Sequence, residues 1–162
     1  GWAPRQKEVR TIVFKRTTGE STPITYRIGW VGNDGTFSSP KTLTLPLNQP
    51  VKLHVHITAE TTGVHSAILN LHYQKKPIIA YQMLNTIIVA EQFSNSSAYT
   101  VINQESVERP GTKSFFLNVP PDIQSLQLAL QFPQNSIMRV STHPSAGYHP
   151  RLSFEMAEKG SW

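Results

Sequence analysis

The chain contains no cysteine. That removes disulfides, thiolate metal sites and a cysteine nucleophile together. It says nothing of compartment, because many exported bacterial proteins also manage without the residue. Charge is scarce as well, with only 15% of residues being Asp, Glu, Lys or Arg. Coiled coils and helical bundles carry far more, and a hydrophobic content of 38% argues against disorder. No apolar run approaches the roughly 20 residues that span a bilayer, so no membrane insertion is expected. The opening GWAPRQKEVR lacks the apolar core of a signal peptide, which places any export signal outside this chain or among removed residues. The first glycine fits an excised fragment better than a natural start.

What is present points to β-structure. Twelve prolines in 162 residues suit a globular protein with many turns, long enough for one well-buried domain or two small ones. The net charge of +5 could suit an acidic partner, but the basic residues are scattered. Arg5, Lys7, Arg10, Lys15 and Arg16 form the one mild cluster, without a nucleic-acid motif beside it. This reads as a solvated basic face, and no nucleic-acid partner is expected.

Strand signals follow one another from the start. Residues 9–16 alternate moderately before the turn-forming TTGESTP. In ITYRIGWV, residues 24–31, the residues Ile24, Tyr26, Ile28 and Trp30 share one face, and GNDG then supplies a tight turn. Leu43, Leu45 and Leu47 are in phase. VKLHVHI is the cleanest strand, with Val51, Leu53, Val55 and Ile57 facing one way and Lys52, His54 and His56 the other. VHSAILNLHY sets Ala67, Leu69, Leu71 and Tyr73 in phase, and PIIAYQMLNTIIVA closes this half near Ala90. About seven strands in some eighty residues predict an all-β fold, a two-sheet sandwich of the immunoglobulin or fibronectin III type over residues 9–90.

Residues 91–99, EQFSNSSAY, break the composition and read as a linker or long loop, with a chance-level glycosylation triplet at Asn95. A second, smaller or partial β-sandwich module is expected over 100–162, with strands in AYTVINQ, KSFFLNV, SLQLALQF, IMRVSTH and RLSFEM and turns at Pro110-Gly111 and Pro120-Pro121. It reads as truncated or packed against the first half.

Four histidines fall within residues 52–73: His54, His56, His65 and His72. His54-x-His56 puts two imidazoles on one strand face, as some zinc and copper sites require. A third ligand would come from His72, His65 or a carboxylate. In a sandwich of this type, however, the chain crosses from one sheet to the other between the His54 strand and the His72 strand. Their outward faces then point in opposite directions. His54 and His56 remain weak metal candidates, and no cofactor is expected. His65 differs, since it shares its phase with the inward Ala67, Leu69 and Leu71. It is expected to act as a structural corner pin, donating an imidazole N–H to a carbonyl near Glu60 or Thr61.

No catalytic constellation is visible. There is no Gly-x-Ser-x-Gly, and the two aspartates, Asp34 and Asp122, lie in a turn and beside Pro120-Pro121. His65 and Ser66 are adjacent on a strand, which sends their side chains to opposite faces. No glycine loop for phosphate occurs, and the ten scattered acidic residues give no sign of a carboxylate pair.

The phrases WVGNDGTF, LTLPLNQPVKLHVHI, TTGVHSAILNL and YQMLNTIIVAEQF together resemble the region after the catalytic domain in large subtilisin-like serine proteases, the tripeptidyl-peptidase II type above all. PGTKSFFLNVPPDIQSLQLAL is similar to the start of the β-sandwich that follows there. None of the catalytic motifs of that family is present: no Asp-(Thr/Ser)-Gly, no His-Gly-Thr-His, no Gly-Thr-Ser-Met-Ala. The resemblance therefore implies a non-catalytic accessory region of a secreted or cell-surface bacterial peptidase. The partners it implies are the catalytic domain of the parent protease and, as a second option, another copy of the chain. The rival reading is a free-standing adhesion or carbohydrate-binding module, which would need exposed flat aromatics. Of the three tryptophans, Trp30 is in phase with the core, while Trp2 and Trp162 are terminal and read as disordered.

Overall fold

A computed structural model describes residues 2–74, 76, 78–108, 111–120, 123–132, 139–143 and 151–158. The chain divides into two compact units, Gly1–Asn118 and Val119–Trp162. Among the described residues there is no α-helix, and the fold is all-β.

In the first unit seven strands follow the alternation of apolar residues: β1 (Lys7–Lys15), β2 (Ile24–Val31), β3 (Phe37–Ser38), β4 (Thr42–Leu45), β5 (Pro50–Thr58), β6 (Gly63–Tyr73) and β7 (Ile79–Val89). They form two antiparallel sheets, one of order β1-β5-β3 and one of order β4-β2-β6-β7. The chain thus changes sheet at every connection from β1 to β6, and of the seven strands β6 and β7 alone follow one another within a sheet. On β5 the period of two is plain, with Leu53, Val55 and Ile57 buried and Lys52, His54 and His56 exposed. Leu69 and Val89 are wholly buried, and Leu53, Leu71 and Val55 nearly so. Burying each such side chain is worth about 1.5–3 kcal/mol, and this core stands in for the disulfides the chain lacks.

Trp2 is a correction to the expectation of disorder at the start. It is half-buried against the core and bridges Val89 in parallel, with the Arg10 guanidinium 5.9 Å from its ring centroid. A large aromatic with core to cover is held even near a terminus.

After β7 the chain forms β8 (Glu91–Gln92), a short 3-10 turn at Asn95–Ser97 and β9 (Leu117–Asn118). β8 and β9 pair in parallel, so the segment read as a linker is tied to a strand read as part of the next module. The strand expected in AYTVINQ does not form, and KSFFLNV is a strand at Leu117–Asn118 alone. Local β-propensity needs a ladder partner, and there Ile102 is 82% exposed with none.

The second unit contains β10 (Ser125–Phe132) and β11 (Arg151–Glu158), paired in parallel with Leu126 opposite Leu152. Residues 139–143 of the expected strand IMRVSTH are irregular, and its first two residues lie outside the described ones. So do Pro110, Pro121, Asp122 and Trp162.

Candidate functional site

The loop between β2 and β3 sets the geometry at one end of the sandwich. Gly32 and Gly35 take φ of 72° and 99°, which a side chain would strain. Asn33 clamps Phe37 from both sides, its Oδ1 accepting from the Phe37 amide at 3.1 Å and its Nδ2 donating to the Phe37 carbonyl at 2.8 Å. Asp34 Oδ1 accepts from the Thr36 amide at 3.1 Å, which leaves Oδ2 aimed at β6. There it meets His65 Nδ1 at 2.6 Å.

His65 is 5% exposed, placed inward by its phase with Ala67 and Leu69. Its Nδ1 also lies 3.2 Å from the Thr36 hydroxyl, and its Nε2 donates to the Thr61 carbonyl at 2.9 Å. A carboxylate and a carbonyl both only accept, so both ring nitrogens of His65 are turned to acceptors, Nδ1 to the Asp34 carboxylate and Nε2 to the Thr61 carbonyl. The Thr36 side chain, and after it His65, hold the Asp34 carboxyl down to about 2, below the usual 3.8.

An Asp–His pair is two-thirds of a serine-hydrolase triad, and the third place decides the chemistry. At Nε2 stands a backbone carbonyl, which has no proton to give and cannot attack. The Ser66 hydroxyl faces the other side of β6 and bonds Thr86 at 2.9 Å. Buried and engaged at both nitrogens, His65 presents no free nitrogen to a substrate.

The other histidines do not join it. His54 and His56 are exposed on the outer face of the β5 sheet, where His54 Nδ1 lies 3.2 Å from the Thr11 hydroxyl. His72 belongs to the other sheet, its ring lying over Gly29. Among the described residues, no three His, Cys, Asp or Glu side chains gather as a metal site would need. Among the described residues, the structure brings His65 to Asp34, which the sequence placed in a turn, and leaves His54, His56 and His72 apart from it.

Arg16 corrects the reading of a solvated basic face. It is 9% exposed, and its guanidinium donates to four carbonyls: Leu45 at 3.2 Å, Thr18 at 3.1 Å, Glu20 at 2.8 Å and Thr22 at 2.7 Å. The planar fork suits this task, and the turn-rich TTGESTP, whose carbonyls need donors, was the available signal. Trp30 stacks on Phe37 at 5.4 Å and donates to the Ser39 hydroxyl at 3.1 Å. A cavity of about 400 Å³ opens between β1 and β7, lined by Trp2, Arg10, Ile12, Val55, Asn85 and Ile87. Its one charged group, Arg10, is already paired with Glu8 at 2.5 Å.

A similarity of 23% identity links 56% of this chain to 26% of the chain of an extracellular fragment of EsaA from Streptococcus gallolyticus, with a TM-score of 0.37, too loose to bear on fold or function. No curated protein matches. Residues 1–89, more than half of the chain, match the model of the Ig-like domain in actinomycete serine proteases. With a two-sheet sandwich across those residues and an Asp–His pair closed to chemistry, the chain belongs to that family of Ig-like protease domains.

Proposed function

We propose that the chain is a non-catalytic module of an exported serine peptidase, of the subtilisin-like class and tripeptidyl-peptidase II type, lying after its catalytic domain. It acts through packing surfaces, stabilising the catalytic domain or shaping the approach of substrate to it. The observation that carries this reading is the match to a protease-associated Ig-like domain over residues 1–89. The sealed Asp34–His65 pair supports it, since, among the described residues, the site with the look of catalysis is spent on holding the fold. The protein's own gene supplies the first test: the three subtilase motifs should be encoded upstream of Gly1. A parent peptidase expressed without this module should then lose thermal stability while keeping its turnover per active site on a small peptide. Absence of the motifs upstream, or a truncated enzyme of unchanged stability and unchanged specificity, would overturn the reading.

A further inference from the structure

Among the described residues, β7 forms one rim of the four-stranded sheet, with β6 as its one neighbour there. The N–H and C=O groups of a strand alternate between its two sides. Trp2 reveals which set faces outward: its amide donates to the Ile88 carbonyl at 3.4 Å and its carbonyl accepts from the Ala90 amide at 3.2 Å. Counting back by twos, Thr86, Leu84 and Gln82 carry the outward groups. Beyond them the ladder slips, with Tyr81 opposite Leu71 but Ile79 opposite His72, so that Ala80 is bulged. The open rim is therefore bounded by a bulge at one end and by Trp2 at the other. Its centre is Leu84.

Two further features bear on what covers this rim. Proteins ordinarily protect sheet edges with Lys, Pro or other charges. The sequence IAYQMLNTIIV of β7 has no charged residue and no proline, so the strand itself sets no like charges face to face where two such edges meet, and Arg10, which lines one cavity with Leu84 and Thr86, is paired with Glu8. On the outer face, Val31 stands opposite Ile68, and Ile68 opposite Leu84. All three are exposed, by 55%, 37% and 67%. An apolar row thus runs across the sheet and stops at the rim, on the residue at its centre.

We propose that the rim of β7 is a self-association surface. Two copies of the chain pair antiparallel about a two-fold axis at Leu84, with Gln82 of one copy opposite Thr86 of the other. A two-fold interface must be complementary to itself, and a register centred on Leu84 is the one that uses every outward group between the bulge and Trp2. The same register carries the row onward, from Leu84 to Leu84, Ile68 and Val31 of the second copy. It stands on β7 and its neighbours alone, independent of attachment to a peptidase.

Sedimentation velocity on the intact chain tests this. A reversible dimer is expected. Leu84→Lys should raise its dissociation constant by about tenfold or more, because two ammonium groups then meet at the axis. Val13→Lys should leave it unchanged, since Val13 is 58% exposed but lies in the other sheet. In a chain without cysteine, Leu84→Cys should cross-link on oxidation, because paired Cα atoms in such a register lie about 5.5 Å apart. Val13→Cys should not. A chain monomeric up to about 1 mM, a dimer indifferent to Leu84→Lys, or equal cross-linking at both positions would each overturn the proposal.

Discussion

Asp34 Oδ2 sits 2.6 Å from His65 Nδ1, across 31 residues of sequence and from β6 to the loop after β2. This contact joins the loop that carries the chain from β2 to β3 in the other sheet to the beginning of β6. Beyond it, His65 reaches on to Thr61, so one imidazole fastens both segments.

Replacing His65 by Ala should therefore destabilise the first unit by about 1–3 kcal/mol, the cost of unmet buried acceptors and lost packing. Urea denaturation followed by tryptophan fluorescence would measure it. Melting unchanged from the parent chain would remove His65 from its place as a corner pin.

Acid should weaken the fold through Asp34. Its folded carboxyl titrates near about 2, below the ordinary 3.8. A depressed carboxyl contributes stability that is fully present above its unfolded value and is lost as pH falls through its folded one. The loss should thus run from about pH 4 down to about pH 2. Because the Asp34 side chain is 52% exposed, screening leaves about 1 kcal/mol of it. Asp34→Asn should flatten the pH dependence of stability in that window, as read from denaturation curves at successive pH values.

Arg16→Met keeps much of the side chain's packing and removes the guanidinium from four carbonyls. A cost of about 2–3 kcal/mol is expected. Arg16→Lys should recover little of it, since one ammonium cannot match the spread of the fork. Thermal melting of the two variants would compare them, and full rescue by Lys would contradict the geometry.

Zinc calorimetry addresses the exposed histidines. His54 and His56 share one sheet face but His72 belongs to the other sheet. The expected result is no stoichiometric binding, with His54→Ala indistinguishable from the parent. A stoichiometric site that this substitution abolished would show that two imidazoles and the Thr11 hydroxyl suffice.

The strands of the first unit were readable because a half-buried strand writes its geometry in alternation. ITYRIGWV was expected at 24–31, and β2 spans Ile24–Val31. The inward phase of His65 was readable for the same reason. Its carboxylate partner was not, because Asp34 comes to β6 on a loop that crosses from β2 to β3 in the other sheet, which periodicity does not encode. The nearest available signal was the Asn-Asp-Gly turn preceding a strand that ends at the same side of the sandwich as Gly63. Arg16 was misread because a basic residue at the end of a strand looks the same in sequence whether its head meets water or carbonyls. The strand expected in AYTVINQ failed differently, since Val101 and Ile102 have strand propensity but no neighbouring strand to realise it.

The four bonds of Arg16 have one more implication. All of them end on main-chain oxygens, and none reads the side chains of Thr18, Glu20, Thr22 or Leu45. The turn between β1 and β2 is thus specified by its length and path, with little demand on its composition outside Gly19, whose φ of 95° and close approach to the guanidinium exclude a side chain. Such a turn can drift in evolution, or accept a grafted epitope of equal length, so long as Gly19 and the arginine at its root are kept.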